Sequence, residues 1–367
     1  MFTTIIIFVG VLAVLVLAHE WGHFFAARRL GIGVKEFGFG FPPRLAGFKW
    51  RGVLYSLNWL PLGGFVKLKG EDDGDANSPD SFAIQKSWRR IIVLVAGVGM
   101  NIIVAWLLLS VTLGIGIRTA LDESKLDDTQ NVDVQIIGIS QNTPAEKAGL
   151  RVGDIVEKVD STTINRITEL QAYISAHVGQ VMQVTVSRTG KKQIFPVESK
   201  LLEQANGRAA IGVNLIHSGV LAYSWPVAFV KGASNTWYLG RDIIFGFGKL
   251  FDDLLTKGSV PQDLAGPVGI AVMTGEVAQL GFIYLLQFMA LLSLNLAIIN
   301  ILPFPALDGG RVLFVIIEKI IRRPVKAHVE AMAHTIGFGL LMFLVLVITF
   351  RDVWRISGGF FGSLFGF

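Results

Sequence analysis

Four stretches of the chain are almost continuously apolar. They lie at 4–27 (TIIIFVGVLAVLVLAHEWGHFFAA), at 91–117, within 277–307 and at 335–350, the last extendable through 331–333. A helix crossing a bilayer needs about 20 apolar residues, so each stretch is predicted to span a membrane. The second holds no charged residue and one amide, Asn101, and the third is uncharged throughout. Between these two the pattern changes, and 118–276 mixes charged and apolar positions as a soluble domain does. Alternation in Val132-Asp133-Val134-Gln135-Ile136, and again from Val181 to Val186, predicts half-buried strands, with a short helix at 167–176 between them. Further on, Trp237, Tyr238, Ile244, Phe245, Phe251 and Leu255 are interrupted by Arg241, Asp242, Lys249, Asp252 and Asp253. That mixture over 225–255 predicts an amphipathic helix, either lying at a membrane surface or packed as a linker on the domain before it.

The basic residues give the spans a direction. Arg28, Arg29 and Lys35 follow the first, and Lys86, Arg89 and Arg90 precede the second. Arg311, Lys319, Arg322, Arg323 and Lys326 lie between the third and the fourth. Positive connections stay in the cytoplasm, so the long middle segment and both termini are expected outside. The first span is expected to be retained rather than cleaved as a signal peptide, because no Lys or Arg precedes it and no small-residue cleavage site follows.

Composition agrees: 52% of residues are hydrophobic and 17% charged, against about 25% charged in an ordinary soluble domain. A soluble enzyme and a disordered chain are both excluded. There are no cysteines, which removes disulfide scaffolds, thiolate metal sites and cysteine nucleophiles. The net charge of +5 is dispersed at the ends of apolar stretches, so no nucleic-acid partner is expected.

The candidate chemistry sits inside the spans. His19-Glu20-Trp21-Gly22-His23 is an H-E-x-x-H pattern. On a helix, positions i and i+4 share a face, so both imidazoles can reach one metal with Glu20 beside it. Ionisable groups within an apolar span are costly and mark function. A catalytic zinc takes three protein ligands, so a third must come from elsewhere. Asp308 is the best candidate, in Asn300-Ile-Leu-Pro303-Phe-Pro305-Ala-Leu307-Asp308-Gly309-Gly310. Two prolines break the helix there, and irregular backbone at membrane depth is tolerated only where it lines an enclosed or wet cavity.

These motifs together resemble the site-2 protease family of intramembrane zinc metalloproteases, in its bacterial regulator of sigma-E branch. The resemblance also includes FGFGF at 37–41, LPLGGFVKL at 60–68 and AGPVGIA at 265–271, and QNTPAEKAGLRVGDIV resembles the PDZ signature. Two departures stand out. The second span reads Gly97-Val98-Gly99-Met100-Asn101 where the family often has G-P-x-x-N, and only one PDZ copy is present. The resemblance implies a polytopic α-helical membrane protein of about four transmembrane helices, with a cytoplasm-side re-entrant β-loop and an inserted extracytoplasmic α+β PDZ domain. The expected segments are helix 1 at 1–30, the β-loop region at 31–88, helix 2 at 89–117 and the PDZ domain at 130–215. A membrane-surface segment follows at 216–276, then helix 3 at 277–310, a cytoplasmic loop at 311–330, helix 4 at 331–351 and an outer tail at 352–367.

The resemblance further implies peptide-bond hydrolysis in the bacterial cytoplasmic (inner) membrane. One Zn2+ per chain would be held by His19, His23 and Asp308, with Glu20 as proton carrier. Asn300 and Asn101, polar amides in apolar spans, and Gly63 and Gly64 in the β-loop are the candidate substrate-binding residues, with interhelical hydrogen bonding as the competing role of the two asparagines. Substrates would be single-span proteins such as anti-sigma factors already shortened by a site-1-type protease, and remnant signal peptides. Two other readings compete: an inert PDZ-bearing membrane scaffold with a structural zinc, and a metal transporter, against which the lack of internal repeats counts.

Overall fold

The computed structural model describes residues 2–71, 78–120, 132–188, 190–202, 208–258, 265–323 and 325–365. In chain order the first elements are α1 (Phe2–Arg29), β1 (Val34–Trp50), β2 (Val53–Leu68) and α2 (Ser87–Ile115). Then come β3 (Ile117–Ala120), β4 (Asp133–Ile139), α3 (Pro144–Ala148), β5 (Ile155–Val159), β6 (Thr162–Thr163) and α4 (Ile167–Ala176). They are followed by β7 (Val181–Arg188), β8 (Lys191–Glu198), β9 (Lys200–Leu202), β10 (Arg208–Ala210) and β11 (Val213–Leu221). The last are α5 (Trp225–Lys257), α6 (Pro267–Leu280), α7 (Phe282–Ile301), α8 (Asp308–Ile321) and α9 (Ala327–Phe365). Two compact units result: one from 1–110, 229–279 and 284–367, the other from 111–228 with 280–283.

In the first unit, α1, α2, α7 and the 328–354 part of α9 are the described helices long and apolar enough to cross a membrane. The third predicted span is corrected. Instead of one helix over 277–310, Gly281, at φ 129°, separates α6 from α7, and Pro303 and Pro305 separate α7 from α8. Of these pieces only α7 has spanning length and hydropathy. The loop expected at 311–330 is mostly α8, which ends at Arg322 in the left-handed region (φ 57°). The tail expected at 352–367 is helical as far as Phe365, because nothing in 352–365 interrupts α9 with a proline.

β1 and β2 form a sheet more interlaced than a hairpin. Trp50 pairs with Val53 and Phe48 with Tyr55, as a tight turn at Arg51-Gly52 requires. Residues 36–39, however, have partners on both sides: Phe37 pairs with Val66 and also with Tyr55. The partners of 36–39 within 54–57 ascend together, which is parallel pairing, while those within 64–67 run antiparallel. Residues 36–39 are therefore central, and 64–68 form an edge among the described residues. This sheet packs on α1, α2 and α8 through Ala27, Ile32, Val34, Val53, Val93 and Val315, all buried.

Asp352 in α9 is 2% exposed and accepts the N–H groups of Gly266 and Gly269 at 2.9 and 2.8 Å. It thus satisfies amides left unpaired at the start of α6. The AGPVGIA segment leaves room for it, since a Cβ at Gly266 would lie 2.9 Å from the carboxylate. α5 is amphipathic as expected. Leu239 and Ile243 pack against Ala105, Leu109, Ala290 and Leu294, while Trp237 and Phe245 are exposed.

The second unit is an α+β domain around a sheet ordered β3-β11-β4-β5-β7-β8, with β6 beside β5. It starts earlier and ends later than the 130–215 expected for the insert, because β3 pairs with the end of β11. Val134, Ile136, Val156, Leu170, Val184 and Val197 fill its core. Pro144 opens α3, and Gly149 closes it at φ 85°, the conformation that favours glycine at a helix C-terminus. Asp154, 1% exposed on its side chain, receives Arg188 through Nε and Nη2, both at 2.7 Å. Those hydrogen bonds raise the Arg188 pKa above its ordinary value.

Candidate metal centre

α1 carries His19 and His23 on its inner face, 7% and 9% exposed. Trp21 and Phe25, on the other side, are 49% and 47% exposed. The helical period thus separates a polar inward face from a lipid-compatible outward one. α2 lies against the inner face through Val93, Gly97 and Asn101, which recur every four residues. A Cβ on Gly97 would fall on the rings of His23 and His19, and one on Gly22 would strike the backbone at Ala96. The two glycines let the helices approach closely behind the histidines.

Asp308 arrives from the broken segment between α7 and α8. Turns there are closed by Phe304 N–H to Leu302 O at 2.7 Å and Leu307 N–H to Phe304 O at 3.1 Å. Ala306 adopts φ 82°, and its N–H donates to Nδ1 of His334 in α9 at 2.8 Å. The sequence suggests that Gly309 and Gly310 serve a sharp turn, but both lie inside α8. Their role is close packing: a Cβ on Gly309 would meet the carbonyls of Ile301 and Leu302, and one on Gly310 that of Phe304.

Three potential ligand atoms converge. Oδ2 of Asp308 lies 3.0 Å from Nε2 of His19 and 3.2 Å from Nε2 of His23, and the two Nε2 atoms are 3.1 Å apart. Donors held 2.0–2.1 Å from a tetrahedral zinc stand about 3.3 Å from one another, so the triangle has zinc's dimensions. The hydrogen-bond chemistry also suits a cation. Nδ1 of His23 is 2.8 Å from the carbonyl of Val93, which can only accept, so Nδ1 carries the proton and Nε2 presents a lone pair. Among the described residues, Oδ2 of Asp308 is buried with no hydrogen-bond partner assigned, its polar neighbours being the two imidazole Nε2 atoms. A buried carboxylate oxygen beside the Nε2 lone pair of His23 and Nε2 of His19 is satisfied by a metal ion, and the three residue types fit zinc.

Glu20 shares a cavity of about 440 Å³ with these ligands. Its walls include residues 64–68 of the sheet edge, together with Glu71, Val93, Leu94, Ala306 and Arg311. The substrate-binding candidates divide. Gly64 faces the site, since a Cβ there would stand 2.9 Å from Cγ of Glu20, and Gly63, at φ 98°, turns the chain just before it. Asn300 is half-buried in the last turn of α7. Asn101 is fully buried 3.3 Å from His19 rather than in the cavity wall. Sequence reasoning missed Glu71 and Arg311, which form an ion pair beside the cavity. The available signal was Arg311 itself, one helical turn beyond Asp308.

Buried imidazoles on a membrane-length helix, a carboxylate at the start of α8 and an unligated glutamate at one cavity have the composition of a metallopeptidase centre within a multi-pass membrane protein. Residues 7–344 match the family model described as peptidase family M50. The zinc metalloprotease RasP of Geobacillus kaustophilus is 32% identical, over 95% of this chain and 97% of its own. A putative zinc metalloprotease of Clostridium perfringens is 31% identical, over 92% and 95%. The PDZ domain of the SdrC-like protein of Listeria monocytogenes is 19% identical over 24% of this chain and 90% of its own, with a TM-score of 0.22. The chain belongs to peptidase family M50, the site-2 protease family of zinc metalloproteases.

Proposed function

We propose that the protein cleaves transmembrane segments of single-span membrane proteins inside the bilayer, at one zinc held by His19, His23 and Asp308. The observation that carries this reading is the triangle of Nε2, Nε2 and Oδ2 atoms beside an unligated glutamate. When bound, zinc supplies Lewis-acid polarisation of the scissile carbonyl and makes water acidic near neutral pH. Glu20 accepts the proton of the attacking water on its carboxylate and returns it to the leaving amine. A spanning helix has all its backbone groups paired, so it must unwind before attack. The sheet edge at 64–68 would hold the unwound strand by backbone pairing, with Gly64 leaving it room beside Glu20. Asn300, in the last turn of α7, would hydrogen-bond the same strand.

Anti-sigma-factor-like proteins trimmed by an upstream site-1-type protease, and remnant signal peptides, are the proposed substrates. The cytoplasmic membrane is the proposed location, with the inserted domain, acting as a PDZ-type module, and both termini outside, as the basic connections favour. The test is reconstitution in liposomes with a single-span peptide, reading cleavage and zinc flux together. Cleavage that disappears in Glu20→Gln, without zinc transport, is expected. Zinc flux without cleavage would identify a transporter, and zinc-loaded protein that does neither would identify a scaffold.

A further inference from the structure

The two histidines differ in what holds them. His23 donates from Nδ1 to a main-chain carbonyl of α2, a fixed acceptor. His19 has the side-chain amide of Asn101 in the corresponding place, 3.3 Å from Nδ1. Val93 and Asn101 lie eight residues apart on one stripe of α2, with Gly97 midway. That stripe therefore meets both rings at the nitrogen remote from Asp308. The Asn101 side chain is completely buried, and its own carbonyl oxygen on the main chain accepts the hydroxyl of Ser293 in α7 at 2.8 Å.

As placed, the amide nitrogen faces His19 and Oδ1 is buried without a partner among the described residues. That orientation makes Nδ1 of His19 the acceptor, which leaves the ring proton on Nε2. Nε2 is the atom that points at Asp308 and His23. A ring protonated there cannot ligate a metal. A half-turn of the amide exchanges its two ends at no change in shape. Oδ1 then accepts Nδ1–H, and Nε2 presents its lone pair to the metal. Outer hydrogen bonds of this kind fix the tautomer of a ligating histidine and raise its basicity.

We propose that Asn101 is a positioning residue of the metal centre, whose side-chain oxygen holds His19 in the metal-binding tautomer, as the Val93 carbonyl holds His23. The inference rests on the zinc-protease reading of the His19–His23–Asp308 site. It assigns Asn101 to the metal rather than to substrate.

The experiment measures zinc affinity of the full-length protein in detergent by chelator competition, together with the visible absorption spectrum of the cobalt-substituted form. Asn101→Leu, which keeps the bulk and removes the acceptor, is expected to weaken zinc binding 10–100-fold and to shift the cobalt bands. Asn101→Asp, which can only accept, is expected to restore both to near the wild-type values. Ser293→Ala removes the neighbouring bond to the main chain and leaves the amide in place, so it reports packing damage alone and should leave zinc affinity within about threefold of wild type, far short of the loss of an outer-shell bond. Wild-type zinc affinity in Asn101→Leu, with only KM raised, would return Asn101 to substrate binding and overturn the proposal. Equal weakening in the Leu and Asp variants would overturn it too, because an acceptor at that position would then fail to support the metal and the amide donor would be what matters. Should the wild-type protein bind no zinc, the protease reading itself falls, a result distinct from the other two.

Discussion

Glu71 and Arg311 form an ion pair that ties the end of β2 to the first turn of α8. The second oxygen of Glu71 accepts the N–H of Leu68 at 3.2 Å, so one carboxylate holds both the sheet edge and the helix that begins at Asp308. Arg311→Met is expected to loosen that edge while leaving the ligands in place. With the arginine side chain 44% exposed, the stability lost should be about 1 kcal/mol rather than the larger figure for a dry pair. KM for a short single-span substrate should rise, with zinc content unchanged by metal analysis. Loss of zinc would show that the pair supports the metal centre instead.

The metal and the proton carrier should separate cleanly. Asp308→Ala removes the only carboxylate among the three converging atoms, and the purified protein should lose most of its zinc. Glu20→Gln should keep the metal and lose about 10²–10⁴-fold in kcat, the usual contribution of general acid–base work. Full zinc occupancy in Asp308→Ala would disprove its assignment as a ligand.

Gly97→Ala tests the close approach of α1 and α2. The added methyl falls on the imidazoles, so one helix must move. Overpacking of this kind costs about 1–3 kcal/mol. Zinc affinity and thermal stability should both drop, whereas Gly99→Ala, which meets nothing within 4 Å, should change neither.

In the inserted unit, Asp154→Ala leaves the Arg188 guanidinium, 18% exposed, without its carboxylate. Breaking a buried pair from one side costs about 3–5 kcal/mol. Hydrogen exchange in β5, β7 and β8 should accelerate, with zinc content unaffected.

Removal of that unit can be designed from its own geometry. Gly116 and Ala222 are neighbours, a Cβ on the first falling 3.2 Å from that of the second, so 117–221 can be replaced by a short Gly-Ser linker. Cleavage of a short substrate should persist, and a substrate with a folded outer domain should become cleavable. Loss of cleavage of the short substrate in zinc-loaded protein would make the unit an obligatory binding site.

Several features were legible in the chain because they are carried by side-chain type at short range. Continuous apolar runs marked the spans, four-residue spacing paired His19 with His23, and the prolines before Asp308 marked broken helix. What escaped depends on partners distant in sequence or on main-chain atoms. Nothing in FGFGF or LPLGGFVKL says that 36–39 will pair on both sides. β3 was missed because its partner, β11, lies about a hundred residues later. The Val93 carbonyl leaves no trace in residue type, and Asn101 reads equally as a substrate anchor until its distance to His19 is known.

The separation of the ligands along the chain has a consequence for biogenesis. His19 and His23 leave the ribosome with the first helix, whereas Asp308 follows only after the inserted domain and α7 have been made. Until then the nascent protein has two imidazoles and no carboxylate to complete the triangle. On the proposed metal site, peptidase competence therefore arrives only once Asp308 has been made, and any shorter nascent chain lacks one of the three ligands.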